Sequence, residues 1–297
     1  MTQNLRIVFL GTPDFAVPTL DALAREHEIA LVVAQPDKRA GRGLQLQSPA
    51  VARYAHAHGL PLAQPQKIRE ALPQIEALKP DIGIVVAYGK ILPPDLLRIP
   101  FYNVHASILP KYRGAAPIQR AIERGETETG VTIMRVDAEL DHGPILAIET
   151  TPIDVDEHAP SLSQRLSKIG AGLLLKTLRG DRRETPQDHA QATIAPKIEK
   201  AEGEIQWSEP SRAIYDKFRA FDPWPGVFRG DIKLVEIKPA SGSGVPGEIL
   251  SIGSDAVTVA TGEGALRLIV LQRAGKSRQR AVEFARGAGW RMGARLE

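Results

Sequence analysis

Cysteine is absent from the sequence, which excludes disulfides, thiolate nucleophiles and thiolate metal centres and fits a reducing compartment. No stretch approaches the roughly 20 consecutive apolar residues that cross a bilayer. The opening segment Met1-Thr2-Gln3-Asn4-Leu5-Arg6 has neither the apolar core nor the small-residue cleavage site of a secretory signal. A cytoplasmic protein without a membrane partner is therefore expected. Internal repeats and low-complexity tracts are also missing. The glycine turn after the first apolar run, Gly11-Thr12-Pro13, opens neither G-x-G-x-x-G nor G-x-x-x-x-G-K-S/T, so no nucleotide-phosphate loop is expected there. His56 and His58 are two apart on an expected helix and point to different faces, which argues against zinc, and no metal is expected.

What is present is an ordinary globular composition. The chain is 43% hydrophobic and 25% charged over 297 residues, a length that suits two domains better than one. Its net charge of +3 is unevenly spread. Residues 267–297 carry eight basic side chains (Arg267, Arg273, Lys276, Arg278, Arg280, Arg286, Arg291, Arg295) against Glu283 and Glu297, which leaves the rest slightly acidic. A basic tail on a near-neutral body suits a polyanionic partner, and equally a plain solvated surface.

Apolar patterning divides the chain in two. Runs at Leu5–Gly11, Ile29–Ala34, Asp81–Ala87 and Phe101–His105 read as buried strands. They alternate with helix-like stretches at Asp14–Arg25, Pro49–His58 and Ile68–Leu78, the pattern of a parallel sheet wrapped by helices. After about residue 185 the chain becomes polar and aperiodic through Lys200, as a linker would. Short runs at Lys233–Ile237, Glu248–Ile252, Ala256–Ala260 and Ala265–Gln272 then suggest a small barrel or sandwich.

Three features carry chemistry. In the run Phe101-Tyr102-Asn103-Val104-His105, alternation sends Asn103 and His105 to one face of a strand, near its carboxyl end, where ligands of parallel sheets sit. Asp141 lies in Glu139-Leu140-Asp141-His142-Gly143, a turn between strand-like runs at Gly130–Val136 and Pro144–Glu149. An amide donor, an imidazole and a carboxylate suit acyl transfer through a tetrahedral intermediate, although each residue alone reads more readily as a core or turn residue. The third feature is Pro36-Asp37-Lys38-Arg39-Ala40-Gly41-Arg42-Gly43-Leu44, whose glycines and basic side chains suit a mobile loop touching phosphates, or an ordinary surface turn.

The segment Asn103-Val104-His105-Ala106-Ser107-Ile108-Leu109-Pro110-Lys111-Tyr112-Arg113-Gly114 resembles the signature of the folate-dependent formyltransferases. Leu140-Asp141-His142-Gly143 falls where that family has its catalytic aspartate. Members acting on glycinamide ribonucleotide and on amino-sugar nucleotides share the signature. Phe9–Ala16, Gln35–Gly43, Gly114–Ile122 and Arg219–Gly226 resemble the members that act on methionyl-tRNA, and the similarity runs from about Leu5 to the end of the chain. The glycinamide ribonucleotide enzymes lack a C-terminal β domain.

The resemblance implies an α/β fold: a Rossmann-like, mostly parallel sheet with helices on both faces, plus a smaller C-terminal OB-like β-barrel domain. The expected division is a formyltransferase catalytic domain at 1–188, a linker at 189–206 and a tRNA-binding domain at 207–297. The implied co-substrate is 10-formyltetrahydrofolate, which donates its formyl group to the α-amine of methionine on initiator tRNA; a monomer is expected. Carried over by position, Asn103, His105 and Asp141 are the catalytic residues. Tyr88, Gly89, Lys90, Ile91 and Leu92, with Ser107, Ile108, Leu109 and Pro110, contact folate. Lys38, Arg39 and Arg42, with Arg278, Arg280 and Arg286, contact tRNA. Arg39 stands where the family often has proline, and Ile194 where it often has tyrosine. The implied chemistry has Asn103 and protonated His105 holding the developing oxyanion while Asp141 keeps the imidazolium charged. The other readings are a tRNA-binding module without catalysis and a formyltransferase for an amino-sugar nucleotide.

Overall fold

In the computed structural model, which describes residues 4–40 and 45–296, the chain divides into two compact units. The first comprises Met1–Pro117, Glu128–Pro152 and Ser161–Pro196; the second comprises Ile118–Thr127, Ile153–Pro160 and Lys197–Glu297. Two short excursions of the expected catalytic segment thus belong by their contacts to the second unit.

Continuous apolar runs make the centre of the first unit. Strand β1 (Arg6–Gly11) is followed by α1 (Val17–Ala24), β2 (Glu28–Val33), the short β3 (Lys38–Ala40) and β4 (Gln45–Gln47), α2 (Ala50–Ala57) and β5 (Leu62–Ala63). Then come α3 (Leu72–Leu78), β6 (Ile82–Val86), β7 (Phe101–His105), α4 (Pro117–Glu123, all but its first residue belonging to the second unit), β8 (Glu128–Arg135), β9 (Ile145–Pro152) and α5 (Ala159–Arg179, in the first unit from Ser161). The sheet order is β5-β2-β1-β6-β7-β8-β9. β5, β2, β1, β6 and β7 run parallel, whereas β8 pairs antiparallel with both β7 and β9. Strands covered on both faces must be apolar throughout. Five of six residues in β1 and in β2 are accordingly buried.

The two faces have separate cores. Val8, Leu10, Leu31 and Val33 pack with Ile68, Ala71, Ile75 and Phe101 on the face covered by α3. Alternation turns Val104 the other way, against Gly170 of α5. Asn103 and His105 therefore share the face of Phe101, at the carboxyl end of β7.

The structure departs from the pattern reading in identifiable ways. The helices expected from Asp14 and from Ile68 each begin with a 3₁₀ turn, Asp14–Ala16 and Ile68–Ala71, before α1 and α3 start. Pro18 and Pro73 lie in the first turn of those helices, where a missing N–H costs nothing. Within the segment expected as a loop at 36–44, Lys38–Ala40 form an antiparallel pair with Gln45–Gln47, Lys38 opposite Gln47 and Arg39 opposite Leu46. Asp37 anchors its base, accepting hydrogen bonds from Gln64 Nε2 (2.7 Å) and Ser48 Oγ (2.8 Å) that hold its carboxyl below the usual range. Arg42 lies outside the described residues. The longest helix, α5, has no counterpart among the expected elements. The polar segment read as a linker is tied to the first unit by bridges from Thr185 to Ile145 and from Ile194 to Arg113.

The second unit contains α6 (Ser211–Ala220), β10 (Val227–Arg229), β11 (Ile232–Ala240), β12 (Ile249–Ile252), β13 (Val257–Ala260), β14 (Ala265–Arg273), β15 (Arg278–Arg280) and α7 (Ala281–Gly287). Its antiparallel order is β10-β11-β14-β13-β12, with β15 on β14. Register shifts in β11 and β12 bend this OB-like sheet around Leu234, Ile237, Val257, Val259, Leu266 and Leu268. Among the described residues the pairings follow an open path from β10 to β12. One string, Gly242–Gly247, spells G-x-G-x-x-G, but it joins two antiparallel strands with no helix after it, which excludes the dinucleotide reading.

Gly83 of β6 sits directly under Phe101 of β7: a Cβ there would stand 2.0 Å from the ring. Gly83→Ala is expected to destabilise the first unit by about 1–3 kcal/mol, read as a lower urea midpoint by circular dichroism. Combining it with Phe101→Leu should recover part of the loss.

Candidate active site

Two connections deliver the site. The chain leaving β7 folds back through Ser107–Gly114, and Thr132 on β8, paired with His105, ties that segment down. Its fully buried hydroxyl accepts from the Leu109 N–H (3.1 Å) and donates to the Ser107 carbonyl (2.7 Å). The second connection is the turn between β8 and β9. It must double back so closely that a Cβ on Gly143 would lie 2.0 Å from the Arg135 carbonyl, which is why glycine follows His142. Asp141 takes a φ of +49° in that turn.

The three residues singled out in the sequence meet. Asp141 Oδ1 accepts a hydrogen bond from Asn103 Nδ2 at 3.2 Å, and its Oδ2 accepts one from the Gly114 N–H at 2.9 Å. The same Oδ2 lies 3.6 Å from His105 Nδ1, close enough for a charge interaction but too long for a direct hydrogen bond. His105 Nε2 is 2.9 Å from the Tyr112 carbonyl. A carbonyl only accepts, so Nε2 carries the proton and Nδ1 is the ring atom turned toward the carboxylate. The side chain of His105 is 6% exposed and that of Asp141 12%.

The other expected contacts are placed as follows. The Tyr88 side chain is in the core, with burial pushing its hydroxyl up to about 12, and its carbonyl accepts from Thr12 Oγ1 (3.0 Å) and Gln35 Nε2 (3.1 Å). Gly89 and Ile91 are exposed, Leu92 is buried, and Lys90 Nζ donates to the Gln66 carbonyl. Ser107 is fully buried and its hydroxyl donates to the Lys111 carbonyl (2.6 Å). Leu109 is buried, while Ile108 and Pro110 are half-buried. Lys38 and Arg39 are exposed on β3. In the second unit, Arg278 and Arg280 lie two apart on β15 and Arg286 on α7, all exposed.

Sequence reasoning missed Thr132, which is recognisable only once the β7–β8 register is known. It also missed Gln187, in the stretch read as a linker, whose side-chain amide donates to the Asp141 and Gly143 carbonyls. Among the described residues no cluster of metal-binding side chains occurs, and no helix is long and apolar enough to cross a membrane.

A carboxylate, an imidazole and amide donors gathered beside β7 are a donor set suited to acyl-type transfer. Residues 5–178 match the formyl transferase family and residues 197–289 its C-terminal domain. The chain belongs to the formyl transferase family. Among its relatives, methionyl-tRNA formyltransferase of Thermus thermophilus is 45% identical, over 98% of this chain and 99% of that protein. The protein of the same name from Citrifermentans bemidjiense is 47% identical, over 96% of this chain and 94% of its own length. In fold the chain is also similar to WlaRD, a sugar 3N-formyl transferase solved with dTDP and 5-N-formyl-THF (TM-score 0.69, 17% identity, 93% of this chain and 100% of that one).

Thr132→Val keeps the shape of the side chain and leaves the Leu109 N–H and Ser107 carbonyl without their partner. The expected cost is about 1–3 kcal/mol, measured by urea denaturation; an unchanged midpoint would mean that neither group depends on the hydroxyl.

Proposed function

We propose that the chain transfers the formyl group of 10-formyltetrahydrofolate to the α-amine of methionine carried by initiator tRNA. The observation that carries this reading is the convergence of Asn103, Asp141 and the Nδ1 face of His105 at one strand end. Similarity over nearly the whole chain to relatives named for this reaction supports it.

The residues fit the folate co-substrate. Gly89 has a φ of +82° with nothing within 4 Å of where a Cβ would stand, and Ile91 is 79% exposed. Open backbone beside an apolar side chain is the chemistry that a pterin requires. When bound, the folate supplies the formyl carbon.

The remaining work falls to the side chains. A terminal α-amine has a pKa of roughly 8, lower beside an ester, so a neutral nucleophile is available near pH 7. The amine nitrogen bonds to the formyl carbon and the bond from that carbon to N10 breaks; one proton leaves the nitrogen and one arrives at N10. Asn103 spends one amide N–H on Asp141 and has the other for the oxygen that gains charge. His105, its Nε2–H held by Tyr112, exchanges protons only at Nδ1. Asp141 stabilises the positive charge that the ring acquires when it does so. In this reading Arg278, Arg280 and Arg286 hold tRNA phosphates.

Formyl transfer from 10-formyltetrahydrofolate is expected to methionyl-tRNA and not to free methionine or a dTDP-amino sugar; preference for the sugar would overturn the proposal. His105→Ala and Asp141→Ala are each expected to lose roughly 100- to 1000-fold in turnover while tRNA binding persists. Replacing Arg278, Arg280 and Arg286 with Gln should flatten the dependence of log affinity on log salt by roughly 2–3 and raise the KM for tRNA. An unchanged slope would assign these charges to solvation.

A further inference from the structure

Asp141 holds its left-handed φ of +49° because something outside its own turn secures it. Gln187, 6% exposed, donates from Nε2 to the Asp141 carbonyl (2.9 Å) and to the Gly143 carbonyl (2.7 Å), the two carbonyls on either side of His142. Its Oε1 accepts from Arg113 Nε (3.1 Å) and Nη2 (2.6 Å). Carbonyls cannot donate and a guanidinium cannot accept, so these partners fix the orientation of the amide. Arg113, itself 7% exposed, is bonded through the chain to Gly114, whose N–H donates to Asp141 Oδ2 at 2.9 Å. The contacts close a ring: Asp141 carboxylate, Gly114, Arg113, Gln187 and back to the Asp141 backbone. Arg113 Nη2 also meets His189 Nδ1 at 2.8 Å, and the His189 ring stacks on His142 at 3.9 Å with 3° between the planes.

We propose that Gln187 is a positioning residue for formyl transfer, an amide clamp that holds the Asp141 carboxylate in line with Asn103 and His105 Nδ1. This rests on the reading of Asp141 as catalytic. The clamp requires an amide. A carboxylate of the same size keeps the contact with Arg113 but aims lone pairs at two carbonyl oxygens, and an aliphatic side chain provides neither donor nor acceptor.

Gln187→Glu in the full-length protein tests the clamp. Turnover with methionyl-tRNA is expected to fall roughly 10- to 100-fold, as small misplacements of a reacting group do, while the KM values for 10-formyltetrahydrofolate and methionyl-tRNA change by less than about twofold. Adding Gln187→Glu to Asp141→Ala should cost almost nothing further, because a clamp has no effect once the carboxylate is gone. A side chain that merely supports the fold would lower both backgrounds equally. Should the new charge disturb folding, Gln187→Leu is expected to show the same loss in turnover and the same lack of additivity. Normal turnover in the folded Gln187 variants, with Asp141→Ala crippled, overturns the clamp alone, as does an equal loss in both backgrounds. Normal turnover in Asp141→Ala overturns the catalytic reading and the clamp with it.

Discussion

The hydrogen bond from His105 Nε2 to the Tyr112 carbonyl decides which ring nitrogen faces the Asp141 carboxylate. It fixes one proton on the ring and leaves a single nitrogen for exchange. The carbonyl reaches that position because Tyr112 adopts a φ of +61°. That strain is held by pairing further along the chain. The Tyr112 N–H donates to Thr193 Oγ1 (2.9 Å), the Arg113 N–H to the Thr193 carbonyl (2.8 Å), and the Ala195 N–H to the Arg113 carbonyl (2.7 Å). A stretch with no pattern of its own thus sets the tautomer of His105.

A change of direction in the sheet has the second large consequence. Up to β7 the strands run parallel and their carboxyl ends share one edge. β8 runs back antiparallel, from Thr132 opposite His105 to Arg135 opposite Tyr102, so the turn after it starts beside the amino-terminal half of β7. From there the chain returns far enough for Asp141 to accept a hydrogen bond from Asn103, 38 positions away in the sequence.

How far the sequence revealed this depends on the scale of the constraint. The central strands were readable because burial on both faces demands an unbroken apolar run, and β7 has the bounds its pattern indicated. The pair on β7 followed from alternation, but joining Asp141 to it required the family signature, since spacing says nothing about which turns meet. Helix α5 escaped notice because Gly170 and Gly172 interrupt its middle; Gly170 lies where the helix crosses Val104 and Val131. The β3–β4 pair and Gln187 escaped for a related reason. Their order comes from partners distant in sequence, Gln64 in one case and Arg113 in the other, and leaves no period behind.

The arrangement also bears on charge. Arg113 is the buried cation nearest in sequence to the donors around Asp141, and a direct Arg–Asp pair would consume the carboxylate in a bidentate contact. Here its hydrogen bonds to Gln187 Oε1 and His189 Nδ1 go to neutral acceptors, while the Asp141 oxygens receive theirs from the neutral donors Asn103 Nδ2 and the Gly114 N–H. Neutral donors hold a carboxylate in place without cancelling its charge, so that charge remains available to a ring 3.6 Å away. In the proposed reading, the exposed arginines of β15 and α7 meet the opposite requirement. Phosphate binding by counterion release needs solvated cations, and a cation hydrogen-bonded to Asp141 would offset the charge that faces His105. Keeping the two kinds of charge on different structural elements satisfies both demands.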